Sequence, residues 1–450
     1  MDLSLMTGVA WPRISGTGLE CLISLLESLE ESQRLASAVI YERQREQLEI
    51  LLTHSERNSP YFASRLRKAG LTVKQLLQAE AWLEFEPMAR RELQANAEKM
   101  RCANVPARHQ PFNYGVTSGS TGEPVKVLRT GLNRLIWMAM TMREHQWNKR
   151  DFALRLTSVR AGISELGFID DWGPPVSLLR KSGRSQGIPI TSSAAQQAQW
   201  ISEFGPAYLM YYPNSLVALL DHCEEQGVSF GGLRQIRSIG ETLSPALRAR
   251  TKTILNVPMT DTYSSNEIGV IAIECPVSGK YHVMAENLIV EILDEHGKPC
   301  APGEIGRVVL TDLHNFATPM VRYDIGDYAE VGGLCPCGCE LPTLNRVMGR
   351  ERNLVVKPDG TRHWPLVGFA EYRDIAPVIQ YQLIQRDLEN IEFRLVVPRV
   401  LTGVEEAGLA ATAQIALGHP FNISFRYFSE SIPRAENGKF EEFVCAVDFK

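Results

Sequence analysis

The hexapeptide Thr117-Ser118-Gly119-Ser120-Thr121-Gly122 places two glycines and four hydroxyls in six residues of a 450-residue chain. Glycine admits positive φ and lets a backbone come close to a ligand. Successive free N–H groups in such a turn make an anion-binding nest. The hydroxyls add donors for phosphate oxygens, and Lys126 can add charge. The chemistry that results is a phosphate cradle. It is not a Walker A loop, which needs Gly-Lys where this chain has Pro124-Val125. By composition alone, an ordinary Ser/Gly surface turn is the competing reading.

A second group is Cys335-Pro336-Cys337-Gly338-Cys339, with Cys275 and His282 ahead of it. Cysteine and histidine are soft or borderline ligands, and four of them suit tetrahedral Zn²⁺. Cys275, His282, Cys335 and Cys337 are the expected set, with Cys339 as substitute. The spacing is not that of common zinc fingers, and free thiols in a tight turn are the alternative. Cys21, Cys102, Cys223, Cys300 and Cys445 stand alone, as buried cytosolic thiols do.

These groups must be held by surrounding elements. Val116, Val125, Val127 and Leu128 flank the Gly/Ser loop and suit a hairpin that carries it between two strands. Leucines and isoleucines at three- and four-residue spacing predict helix over 17–55. Asn58-Ser59-Pro60 breaks that pattern, Tyr61–Lys68 restarts it, and Met88–Met100 is a further polar helix. Nothing in this helical N-terminal part suggests catalysis. Beyond the loop, helix is expected over Leu132–Gln146. Strands at 152–158, 208–212 and 236–238 then alternate with helices at 193–204, 215–226 and 246–254, which predicts βαβ units and a mostly parallel sheet. Ligands on such sheets sit at the carboxyl ends of strands, where Gly240-Glu241 and Thr262–Glu267 fall. From about Tyr281 the period becomes two, with antiparallel strands expected at 282–292, 306–311 and 328–331. After Gly349-Arg350 a second unit begins, with strands at 354–356, 378–385, 391–397 and 422–427 and a helix at 404–417.

The fold class that follows is α/β: a large N-terminal domain with mostly parallel sheets and an antiparallel β subdomain, then a small α+β C-terminal domain. The boundaries are 1–350, its first 105 residues helical, and 351–450. Hydrophobic residues at 44% and charged residues at 22% describe a soluble globular protein. A net charge of −5 offers no bulk attraction to nucleic acid or an anionic membrane. The N-terminus lacks the pattern of a signal peptide, and no apolar run suits a membrane span. A cytoplasmic location is expected.

Five short motifs occur in order: Thr117–Gly122; Asp261-Thr262-Tyr263-Ser264-Ser265-Asn266-Glu267; Arg322-Tyr323-Asp324-Ile325-Gly326-Asp327 after Gly303-Glu304-Ile305-Gly306; Met348-Gly349-Arg350-Glu351-Arg352; and Pro433-Arg434-Ala435-Glu436-Asn437-Gly438-Lys439. In this order the chain closely resembles the adenylate-forming enzymes, the superfamily of acyl-CoA synthetases, adenylation domains and luciferases. Asn58-Ser59-Pro60-Tyr61, Gly70-Leu71, Pro87-Met88 and the Cys-x-Cys-Gly stretch match its phenylacetate–CoA ligase-like branch. Members of that branch carry such a cysteine/histidine set.

The resemblance implies roles. Thr117, Ser118, Gly119, Ser120, Thr121 and Gly122 would hold the β- and γ-phosphates of ATP, and Gly240 and Glu241 would lie against adenine. Tyr263 would stack near the base, Ser265 would approach the α-phosphate, Ser264 would belong to the same ATP-binding segment, and Glu267 would help to hold Mg²⁺. Asp327 would accept hydrogen bonds from the ribose hydroxyls, with Arg350 close by. Lys439 would come to the carboxylate and α-phosphate. The implied partners are a small carboxylic acid, aromatic or arylacetic, and CoA, with a homodimer as one open option for the assembly. The alternatives are transfer to a carrier protein's phosphopantetheine or to an amine, and a non-catalytic relative that only binds nucleotide or acyl ligand. Two departures concern the thioester half-reaction: Arg352 where the family often has Asp, and Leu354–Pro365 in place of a Gly-rich strand turn.

Overall fold

The computed structural model of the chain describes residues 5–116, 126–350, 354–363, 369–430, 432–433, 440 and 442–447. They form two compact units, the second of which takes Met348–Lys450 together with Ser244–Ala249.

The first unit opens with helices Leu19–Ser32, Ser37–Asn58 and Pro60–Ala69, and later Arg90–Met100. The helix expected over 17–55 is therefore two. Tertiary bonds explain the break at Gln33: its side-chain oxygen accepts from Trp147 Nε1 at 2.9 Å and its carbonyl from Glu340 N at 2.8 Å. Ser59 caps the third helix by accepting from Phe62 N, Pro60 takes the first turn, and Gly70 ends it at φ +67°. The flanks of the Gly/Ser loop pair as expected, Asn113–Val116 antiparallel to Lys126–Arg129. Helix Gly131–Trp147 follows, its Thr130–Asn133 capping box formed on both sides.

The parallel part is one six-stranded sheet ordered 167–169, 185–189, 156–160, 208–211, 235–238, 259–260. All its described pairs are parallel except Gly167–Ile169, which runs antiparallel at the edge. Helices Ala194–Phe204 and Pro213–Gln226 make crossovers, each ended by a glycine in the left-handed region. A seven-stranded sheet follows, ordered 288–293, 305–312, 323–331, 343–350, 281–283, 269–274, 262–265. The strand expected over 282–292 is two strands, because Met284–Asn287 turns inward to bring the fully buried Glu286 to Arg143. Glu286 Oε1 accepts from Arg143 Nη2 at 2.7 Å and from Ser32 Oγ at 2.6 Å.

The second unit has a four-stranded sheet ordered 422–428, 390–396, 380–385, 443–445. Helices Phe369–Ile375 and Gly403–Leu417 belong to it. Tyr372, Tyr381, Leu383, Phe393, Leu395, Leu409 and Leu417 form its core. No helix among the described residues is long and apolar enough to cross a membrane.

Beneath the parallel sheet lies a buried charge cluster. Arg150 donates to both carboxylate oxygens of Glu144, and Arg237 reaches the same carboxylate at 3.5 Å. Burial pushes Glu144 up, but Arg150 and Arg237 outweigh it and hold the carboxyl at about 2. Burial drives His145 down to about 3 and His314 down to about 4, whereas it lifts Asp312 to about 6. The two histidines are thus neutral in the folded chain while they charge near pH 6.5 once unfolded. From pH 6.5 downward the unfolded state binds the extra protons, so stability falls with pH; Asp312 offsets one histidine between about 6 and 4. We expect unfolding free energy to drop by about 2 kcal/mol between pH 7.5 and 5. Urea titrations followed by tryptophan fluorescence check this, and a flat or rising trend would contradict it.

Candidate active site

Among the described motif residues the most buried acid is Glu267, 4% exposed. It lies in the turn between strands Thr262–Ser265 and Gly269–Glu274, which pair antiparallel with a bulge at Val270/Ala272. Ser265 Oγ accepts from Ile268 N at 3.2 Å, and Gly269 turns the chain at φ +106°. The hairpin that carries the Gly/Ser loop packs here. A Cβ at Gly115 would sit 2.8 Å from the Asn266 carbonyl oxygen, so only glycine lets the strand pass so close. Arg129 reaches the carbonyls on either side of Glu267, Asn266 O at 3.4 Å and Ile268 O at 3.5 Å. Arg90 Nη1 pairs with Glu267 Oε1 at 2.8 Å.

Tyr263 OH donates to Asp327 Oδ2 at 2.7 Å. The residues expected beside the base and the ribose are therefore neighbours, on strands Thr262–Ser265 and Tyr323–Val331. Ser264 is exposed and Ser265 half-buried on the first of these strands. Gly240 and Glu241 follow the carboxyl end of Gln235–Ser238, as expected of a ligand-facing turn. Glu241 Oε2 accepts from Asn214 N at 2.9 Å, which ties this turn to the first turn of helix Pro213–Gln226. Arg350 ends strand Thr343–Arg350. Thr117, Ser118, Gly119, Ser120, Thr121, Gly122 and Lys439 lie outside the described residues.

Asp261 joins the two sheets. Its carboxylate accepts from Ser238 Oγ, at the end of the parallel sheet, and from Tyr281 OH at 2.7 Å in the antiparallel one. Its N–H donates to Glu274 Oε2 at 2.7 Å.

The structure brings Cys275, His282, Cys335 and Cys337 together, with one ligand atom from each within 4.8 Å of the others. Cys335 Sγ is 3.7 Å from Cys275 Sγ and 3.3 Å from Cys337 Sγ, while His282 Nε2 is 3.3 Å from Cys337 Sγ. His282 Nδ1 donates to Leu341 O at 3.2 Å, which leaves the Nε2 lone pair facing the thiols. Ser278 Oγ lies 3.1 Å from Cys335 Sγ, and Cys339 N–H donates to Cys337 Sγ at 3.4 Å. A fixed tautomer, three thiols and hydrogen bonds to two sulfurs form a donor set that fits a tetrahedral soft-metal site. Cys339 contributes its backbone, and its thiol is not among the four.

Sequence reasoning missed Arg90. It assigned no chemistry to the N-terminal helices, yet the first residue of Arg90–Met100 reaches Glu267. The one available signal was Arg90-Arg91, one residue after Pro87-Met88, a pair with no apolar role.

The AMP-binding enzyme family's model matches residues 36–317, more than half of the chain. The chain belongs to the AMP-binding enzyme family. Phenylacetate-coenzyme A ligase of Pseudomonas putida is 24% identical over 338 residues, 73% of this chain and 74% of that protein. The Escherichia coli (strain K12) enzyme of the same name is 23% identical over 324 residues, 70% and 71%. Among solved structures, 2-hydroxyisobutyryl-CoA ligase in its postadenylation state with 2-HIB-AMP superposes with a TM-score of 0.72. It is 16% identical and covers 92% of this chain and 91% of its own, a likeness of fold. This AMP-binding enzyme stands in the phenylacetate–CoA ligase-like branch of the adenylate-forming enzymes, and it is an AMP-forming acid–thiol ligase.

Gly240 offers a direct test of the turn geometry. Its φ is +73°, and a Cβ there would lie 2.9 Å from Tyr212 Cε1. Left-handed backbone costs an L-residue about 1–2 kcal/mol. Gly240→Ala should lower stability by about that much or more, read as a fall in the urea midpoint. Adding Tyr212→Ala should remove the steric part and leave the φ part. A Gly240→Ala protein as stable as its parent would refute the conformation.

Proposed function

We propose that this ligase activates an aromatic or arylacetic acid with ATP, forms acyl-AMP and pyrophosphate, and passes the acyl group to CoA as a thioester. The observation that carries the reading is the meeting of Tyr263 with Asp327 while Glu267 lies in the turn after Tyr263's strand. That grouping supplies a face for a base, an acceptor for a vicinal diol and a hard oxygen for a cation. The arylacetic preference rests on the two phenylacetate-coenzyme A ligases.

In this reading a carboxylate approaches the α-phosphate, two anions that must be neutralised and aligned. Mg²⁺ would supply charge neutralisation at the phosphates, with Glu267 as its protein ligand. Asp327, fixed by Tyr263, would orient the ribose. Gly240-Glu241 would lie along the adenine. The Thr117–Gly122 loop would hold the outer phosphates, and Lys439 would supply a point charge where negative charge develops. The small domain over 351–450 would deliver that lysine. A cytoplasmic location belongs to the same reading, in keeping with nine cysteines that form no disulfide among the described residues.

Pyrophosphate–ATP exchange across aryl, arylacetic, amino and fatty acids tests the first half. Exchange should depend on an aryl or arylacetic acid and fall by roughly 10²–10³ in Lys439→Ala. Exchange supported only by amino or fatty acids would overturn the acid class, and exchange with none would overturn the function. Thioester formation with CoA, compared with a phosphopantetheinylated carrier protein and with amines, decides the acceptor.

For the cysteine–histidine cluster we propose structural Zn²⁺ on Cys275, His282, Cys335 and Cys337, closed to substrate. Purified protein should contain about one zinc per chain, and Cys337→Ser should lower both zinc content and melting temperature. Less than about a tenth of an equivalent in the parent protein would remove the zinc.

A further inference from the structure

We infer that Arg90 is a positioning residue for adenylation, holding one oxygen of Glu267 so that the other is presented to the metal–nucleotide complex. The inference rests on the proposed role of Glu267 and goes beyond it. The ion pair is close, 2.8 Å, and enclosed, the side chains being 15% and 5% exposed. The contact is to Oε1 alone, and among the described residues Oε2 has no bonding partner. A carboxylate held at one oxygen keeps the lone pairs of the other directed outward. Arg90 therefore fixes the rotation of the carboxyl group.

Arg90 is itself held from the other side of the site. Met88 N–H donates to Arg322 O at 2.6 Å, and Asp324 N–H donates to Met88 O at 3.0 Å. Met88 thus bridges in parallel to Tyr323, two residues ahead of the helix that begins at Arg90. The strand that carries Asp327 also anchors the backbone that aims Arg90 at Glu267. Losing one member of an enclosed pair leaves an uncompensated buried charge, which costs far more than a surface pair. Without Arg90 the Glu267 carboxyl would lose the bond that fixes its rotation and would be free to turn about its own axis.

Three variants test this: Arg90→Met, Arg90→Lys and Glu267→Gln. Binding of Mn²⁺ in the presence of a non-hydrolysable ATP analogue is read by electron paramagnetic resonance. Mg²⁺-dependent pyrophosphate exchange is measured beside it. Arg90→Met should weaken Mn²⁺ binding and raise half-saturating Mg²⁺ by about tenfold or more, and Arg90→Lys should recover much of the loss. In a Glu267→Gln background Arg90→Met should add little, since the two act as one unit. A purely structural role predicts a lower melting temperature with unchanged metal dependence, and that result overturns the inference. Tighter Mn²⁺ binding in Arg90→Met also overturns it, by showing that Arg90 competes with the metal. If Glu267→Gln leaves metal dependence unchanged, the role of Glu267 falls first. If Glu267→Gln abolishes it and Arg90→Met does not alter it, only the positioning role falls.

Discussion

The large unit is organised around one enclosed guanidinium. Arg322 is fully buried, and its Nη1 donates to the carbonyls of Trp82, Leu83 and Phe85. Its Nε donates to Glu291, and its own N–H to Thr311 Oγ1 at 2.9 Å. A charge in such a place is tolerable only when nearly every proton has a partner. The carbonyls come from the N-terminal helical part, Glu291 and Thr311 from the antiparallel sheet. Arg322 therefore locks the register between two regions more than two hundred residues apart in sequence. Its φ of +49° is strained for a side chain of this size, and the surrounding bonds hold it there. Next to it, the Met88–Tyr323 bridge sets where helix Arg90–Met100 starts.

That arrangement gives physical content to the order of the motifs. Arg322-Tyr323-Asp324 is a framework piece, with Asp324 Oδ2 paired to Arg307 at 3.0 Å and Oδ1 accepting from Gly326 N at 2.9 Å. Its continuation, Asp327, meets Tyr263 from the second motif. Two segments that look like separate ligand motifs are thus one scaffold seen at two points of the chain. The Arg90–Glu267 pair closes the same ring from the N-terminal side.

Local pattern made much of this legible. Ser59-Pro60 with Gly70, the Gly131–Trp147 helix and the alternation of strands and helices between 193 and 226 appear where spacing places them. The hairpin around the Gly/Ser loop was readable from its flanking apolar residues. Strand Ser185–Pro189, SQGIP, was not: it has a glycine, a proline and one large apolar residue, and it is a strand because both neighbours pair with it. Phe443–Cys445 was hidden for a similar reason, being three residues long and paired, among the described strands, with Gln380–Gln385. The break at Gln33 and the inward turn at Glu286 answer to side chains far away in sequence, which periodicity cannot register. Arg90 belongs with them, since its partner lies 177 positions on. The cysteine–histidine set was different. Its residue types are rare enough that listing them sufficed, and the fold had only to bring them close.

The same hairpin serves both that cluster and the strands of the Asp261–Glu267 motif. In Gly269–Glu274 and Tyr281–Val283, Glu274 lies opposite Tyr281 and Ile273 opposite His282. Successive residues of a strand face opposite sides of the sheet. Glu274 and Tyr281 turn to Asp261, whereas His282, one residue further, turns to the thiols, and Cys275 directly follows Glu274. One rung of the ladder thus fixes Asp261 while the next fixes the sulfurs. A slip by one residue would exchange the two faces and place a carboxylate among the thiols. The cysteine–histidine cluster and the Asp261 bonds therefore specify the same register from opposite faces. Asp261 begins the segment that leads through Tyr263 to Glu267, so a register error at the cluster would misplace that acid as well.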